Sequence, residues 1–136
     1  MIVVDASVVV KWFTLEPLHE EARALLLGAD HLLAPDIVTV EVADALWAKA
    51  GRGEISEPAS SRAVAALAGG GQPQLRPSTP LVPHAFELAR RLDHPVYDCL
   101  YLALAEERDA RLVTADARFA TTAASQAVQR IQLLGS

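Results

Sequence analysis

The sequence predicts an α/β domain built on a central parallel sheet. Short apolar, strand-like runs alternate with helical segments along the chain, the pattern of parallel sheets covered by helices on both faces. Two of these runs, Ile2-Val3-Val4 and Arg111-Leu112-Val113-Thr114, are each closed by an acid, Asp5 and Asp116, and a helical segment follows. With 136 residues the chain is expected to form a single domain over residues 1–136, long enough for a real core.

Taken in order, Ile2 to Val4 reads as a short buried strand because β-branched residues fill it. Asp5 ends it, since an unpaired charge is costly within a sheet. Val8 to Phe13 is expected as a short helix with Ser7 as a candidate cap; Val has poor helix propensity, so a continued strand is the rival reading. Leu18 to Leu27 sets Leu18, Ala22, Leu25 and Leu26 at helical spacing, and Gly28 supplies a C-cap. Leu32-Leu33-Ala34 is a strand closed by Pro35-Asp36.

Ile37 to Arg52 is helical, with Glu41, Ala45, Ala48 and Arg52 on one stripe. Ser56 and Pro58 start the next helix, which runs to Gly69-Gly70-Gly71. No Gly-Lys-Ser/Thr follows that glycine run, so it reads as a linker rather than a phosphate cradle. Leu75-Arg76-Pro77 is a short edge strand, and Pro83 to Leu92 a helix broken by His94-Pro95. Val96 to Glu107 is apolar on nearly every face and is therefore buried on most sides. Arg111 to Thr114, Arg118 to Ala127 and Val128 to Leu134 complete the chain as strand, helix and strand.

Composition excludes several classes. Hydrophobic residues make up 51% and charged residues 21%, which is globular rather than disordered. A lone Cys, Cys99, forbids an intrachain disulfide and reads as a small buried hydrophobe. No signal segment opens the chain and no run approaches a membrane span, so a cytoplasmic protein without membrane contact is expected. The net charge of −5 argues against nucleic-acid binding driven chiefly by counterion release. Any such contact would be local or carried by metal ions.

Four acids stand in awkwardly apolar surroundings. Asp5 and Asp116 end strands, Glu41 lies among Val40, Val42 and Ala45, and Asp98 opens the most apolar helix. If the two strands are neighbours, all four can meet at one sheet edge, where parallel α/β sheets bind ligands. Gathered carboxylates repel, so such a cluster calls for protons, basic partners or a cation. Oxygen donors suit Mg²⁺ first and Mn²⁺ next, and acid-bound Mg²⁺ commonly serves phosphate chemistry. His19, His31, His84 and His94 show no paired zinc spacing and read as surface or loop residues. Structural roles stay open beside these: Asp5 could merely cap the helix after it, Asp98 and Asp116 are good helix starters, and Glu41 could pair with Lys49 or Arg52. Lys11, Lys49 and Arg52 could hold flanking phosphates or be solvated surface charge.

Val3-Val4-Asp5-Ala6-Ser7, Glu41 on its helix, Tyr97 to Ala105, and Leu112 to Phe119 together resemble PIN-domain ribonucleases, in particular the VapC toxins of toxin–antitoxin pairs. The likeness covers nearly the whole chain. It implies a three-layer α/β/α fold and a Mg²⁺-dependent endoribonuclease, with Asp5, Glu41, Asp98 and Asp116 as the metal-binding and catalytic acids. Ser7 and Thr114 would be supporting hydroxyls. It also implies an RNA substrate, a homodimer and an antitoxin that blocks the site. The family often has Asn where this chain has Asp44, which adds negative charge near the acids. The rival readings are a non-catalytic PIN-like module that binds RNA or protein, and a different α/β enzyme such as a phosphatase or a phospho-accepting receiver domain with an aspartyl nucleophile. A dehalogenase-like phosphatase needs a second Asp where Ser7 stands, which disfavours it.

Overall fold

The computed structural model describes residues Met1–Ser136. Five strands form one all-parallel sheet: β1 (Ile2–Val4), β2 (Leu32–Pro35), β3 (Gln74–Arg76), β4 (Arg111–Thr114) and β5 (Ile131–Leu133). Their spatial order is β3-β2-β1-β4-β5. β1 is therefore central, which explains why all of Ile2, Val3 and Val4 are buried. In register, Val3 lies beside Leu33 on one side and Leu112 on the other, and Val4 faces Val113.

Seven helices cover the sheet: α1 (Ala6–Val9), α2 (His19–Leu27), α3 (Ile37–Gly51), α4 (Glu57–Ala68), α5 (Val82–Leu92), α6 (Val96–Glu107) and α7 (Ala117–Ser125). Parallel crossovers are right-handed. The β1-to-β3 connections thus place α1 to α4 on one face, and the returning connections place α5 to α7 on the other, giving three layers. The expected helix over Val8 to Phe13 is observed as α1 running into a 3-10 turn at Val10–Trp12; its cap is Asp5, which accepts Val8 N–H, and not Ser7, which lies within the helix. Trp12 anchors that turn by donating Nε1–H to the Ala22 carbonyl at 2.9 Å.

α6 buries seven consecutive residues, Cys99 to Ala105, because the sheet lies beneath it and α5 packs outside it. On α3 the buried stripe is Val38, Val42 and Leu46; Glu41 borders it, and Arg52 is exposed. The anticipated Glu41–Arg52 stripe is therefore turned partly to solvent. α3 also begins with an unexpected cap: Ser78 Oγ accepts Ile37 N–H at 3.0 Å and donates to Asp36 Oδ1 at 2.6 Å. The last strand is shorter than the apolar run predicts. β5 lies at the sheet edge and pairs only with Leu112 to Thr114 of β4. α7 likewise ends at Ser125, and Ala127 turns the chain with a positive φ of 61°.

Candidate active site

The strand order reverses around β1 and β4. β2 and β3 extend from one side of β1, whereas β4 and β5 extend from the other. In open α/β sheets the crevice at such a reversal, beyond the carboxyl ends of the strands, is where ligands bind. Asp5 follows β1 and Thr114 ends β4, so both lie at this crevice.

Asp5 is 4% exposed. Its Oδ1 accepts from Ser7 Oγ at 2.5 Å and Val8 N–H at 3.3 Å, and its Oδ2 accepts from Thr114 Oγ1. Both hydroxyls are fixed in polarity by the turn after β4. Ser7 Oγ accepts Ala115 N–H at 2.9 Å, and Thr114 Oγ1 accepts Asp116 N–H at 3.1 Å. Each hydroxyl has one proton, and Asp5 receives both. Burial pushes the Asp5 carboxyl up to about 6; the hydrogen bonds from Ser7, Thr114 and Val8 oppose this, and the negative charge of Asp98 adds to it.

Glu41 is half-buried, and its Oε1 accepts from Tyr101 Oη at 2.5 Å. Burial raises its pKa, the Tyr101 bond lowers it, and Asp98 raises it again. Tyr101 lies among the acids: burial raises its phenol pKa, and so do the charges of Glu41, Asp5 and Asp98. Asp98, in the first turn of α6, accepts from His94 Nε2 at 2.6 Å. Asp98 therefore lies within electrostatic reach of both Asp5 and Glu41. Asp116 joins them indirectly. Its amide reaches Thr114, while its Oδ1 caps α7 by accepting Phe119 N–H at 3.1 Å.

Tyr101 and His94 are contributors that sequence reasoning missed as partners of these acids. Tyr101 had a visible signal, a hydroxyl on a helix apolar enough to be buried. His94 lies in the loop before α6, within the expected surface or loop role, but its side chain is only 8% exposed and four residues from Asp98. Cys99 is fully buried as expected, and burial with Asp98 nearby pushes its thiol up to about 11. Asp44 is exposed on α3.

The phosphate-holding candidates are already engaged. Lys11 and Lys49 both pair with Glu16, at 2.9 and 2.7 Å, and Arg52 pairs with Glu54. Glu16 is half-buried; burial raises its pKa, but hydrogen bonds from Lys49, Lys11 and Thr14 prevail and hold it at about 2. The alternative partnership of Glu41 with Lys49 or Arg52 is not formed.

The donor set fits a hard cation. It is all oxygen, and a buried acid held by hydroxyls lies beside other acids. No three of these groups converge closely enough to enclose an ion by themselves. That spacing is compatible with Mg²⁺, which usually keeps several waters and takes one or two carboxylates directly.

A model of the PIN domain matches residues 2–125. The chain belongs to the PIN-domain family. This PIN domain is 32% identical over 120 residues to Ribonuclease VapC3 of Pyrobaculum aerophilum, an alignment covering 88% of this chain and 92% of that protein. Its fold is shared with PAE2754 of Pyrobaculum aerophilum at a TM-score of 0.74 and 20% identity, covering 98% of this chain and 90% of the other. It is also shared with Mycobacterium tuberculosis VapC20, described as a toxin cleaving the sarcin-ricin loop, at a TM-score of 0.67 and 17% identity; coverage there is 89% and 94%. The α/β/α architecture expected from the sequence is thus the architecture observed. No helix is long and apolar enough to cross a membrane.

Proposed function

We propose that this PIN domain is a metal-dependent endoribonuclease, the toxin of a type II toxin–antitoxin pair acting in the cytoplasm. The observation that carries the reading is the buried Asp5, held by two oriented hydroxyls beside Asp98 where the strand order reverses. The similarity to Ribonuclease VapC3 supports RNA as the substrate.

Asp5, Glu41, Asp98 and Asp116 would hold one or two Mg²⁺ ions, with Mn²⁺ as a substitute. The bound metal supplies an acidified water for attack on the phosphodiester and positive charge for the leaving oxygen. Ser7 and Thr114 fix the orientation of Asp5 from both sides, and Tyr101 fixes Glu41. Such hydrogen bonds keep ligating carboxylates aimed and raise the affinity of a site. Arg118 is exposed in the first turn of α7, close in sequence to Asp116, and is a candidate contact for a flanking phosphate. Lys11 and Lys49 serve that role only where a phosphate displaces Glu16.

The partners follow from the same surface. A cognate antitoxin would block the site, and an Arg side chain suits it because a guanidinium pairs bidentately with carboxylates. A homodimer accords with the exposed apolar residues Val40 and Trp47 on α3 and Val82 and Phe86 on α5.

The test is cleavage of single-stranded or looped RNA by the purified protein. Activity is expected to vanish in EDTA, to return with Mg²⁺ or Mn²⁺, and to be lost in Asp98→Asn. Cleavage undiminished in that variant overturns the assignment. RNA or protein binding without cleavage or metal uptake would establish the non-catalytic module instead.

A further inference from the structure

We propose that His94 is a positioning residue for Asp98, holding one carboxylate oxygen so that the other is aimed at the metal; this rests on the metal-dependent reading above. Three observations carry it. The ring nitrogen Nε2 lies 2.6 Å from Asp98 Oδ2 in the first turn of α6, and Asp98 Oδ1 has no protein partner. A carboxylate only accepts, so the contact places a proton on Nε2 and fixes the ring's orientation.

The ring itself is held. It stacks on Phe119, with centroids 4.6 Å apart and planes 23° from parallel, and its side chain is 8% exposed. Phe119 is fully buried, so it forms a firm wall. The same Phe119 donates its amide to Asp116 Oδ1 at 3.1 Å. One residue therefore connects the turn before α6, which carries Asp98, with the start of α7, which carries Asp116. Rotation of the Asp98 carboxyl would break a hydrogen bond to a ring that has little room to follow. A solvated surface histidine would have neither the stacking partner nor the burial.

His94→Phe separates the two features, because it keeps a flat ring against Phe119 and removes the donor. The readout is Mn²⁺ affinity, followed by the electron-spin signal of the free ion during titration. Parent protein is expected to bind Mn²⁺, His94→Phe to bind about 10-fold more weakly, and His94→Gln, which keeps an N–H donor, to recover most of the loss. Melting in EDTA monitors the fold.

Unchanged Mn²⁺ affinity in His94→Phe, or equal weakening in both variants, overturns the positioning role. Parent protein that binds no Mn²⁺ overturns the metal-dependent reading itself. If His94→Phe does not fold, nitrogen NMR of the parent's histidine rings decides. Mg²⁺ is expected to shift the His94 Nε2 resonance and leave exposed His31 unmoved; no shift at His94 overturns the proposal.

Discussion

Tyr101 Oη donates to Glu41 Oε1 across 2.5 Å, joining α6 to α3 over 60 residues of sequence. The phenol is almost wholly buried, and its bond opposes the rise in Glu41's pKa caused by burial and by Asp98. It thus both aims Glu41 and favours the ionised form that a cation requires.

Tyr101→Phe is therefore expected to raise the Glu41 pKa further and to leave a half-buried carboxylate oxygen unpaired. The loss of stability should be about 1–3 kcal/mol, the usual penalty for orphaning one partner of a buried hydrogen bond. RNA cleavage should fall about 10-fold through misorientation of Glu41. Melting curves and cleavage rates at fixed Mg²⁺ check both; an unaltered cleavage rate rules out the aiming role.

Asp5 predicts an unusual pH dependence. Its folded pKa of about 6 lies above its ordinary value of 3.8. Between those values the folded state binds more protons than the unfolded one, so this group makes stability fall as pH rises. Below about pH 4 it has no effect, and above about pH 6 its penalty is complete, on the order of 3 kcal/mol. In EDTA, Asp5→Asn should flatten that decline and melt higher than the parent at neutral pH, while losing cleavage. Parent and variant with identical pH profiles between about pH 4 and 6 would contradict the assignment.

Glu16 has the opposite sign. Its folded pKa of about 2 lies below the ordinary 4.5, so it stabilises the fold above that value, and the contribution is lost as the pH falls toward 2. Glu16→Gln should cost about 1 kcal/mol at neutral pH, after allowance for solvent screening. It also releases Lys11 and Lys49, so RNA affinity should rise and become more sensitive to salt. Binding at two salt concentrations tests this; unchanged salt sensitivity would show that neither lysine reaches RNA.

Asp116 combines two roles that substitutions can separate. Asn caps a helix about as well as Asp, so Asp116→Asn should melt within about 0.5 kcal/mol of the parent in EDTA and lose cleavage. Asp116→Ala should lose about 1 kcal/mol more by removing the cap. A variant with Asn that cleaves at the parental rate would leave Asp116 as a cap alone.

Periodicity and strand-end acids made the architecture and the candidate acids legible in the sequence. The alternation of apolar runs with helical spacing depends only on neighbouring residues, so β1, α6 and β4 emerge from Ile2-Val3-Val4, from the apolar stretch after Val96, and from Arg111 to Thr114. The cost of a charge inside a sheet likewise placed Asp5 at the end of β1 and Asp116 beyond β4. Tertiary structure alone decided the partners. Ser78 caps α3 from 41 residues away, Tyr101 reaches Glu41 across 60, Glu16 claims Lys49, and the His94 ring packs on Phe119. These contacts depend on strand order, on register and on which helix covers which strand. Local spacing is blind to those relations, because hydrogen bonds and ion pairs form between whatever groups the packed layers bring within about 3 Å of one another.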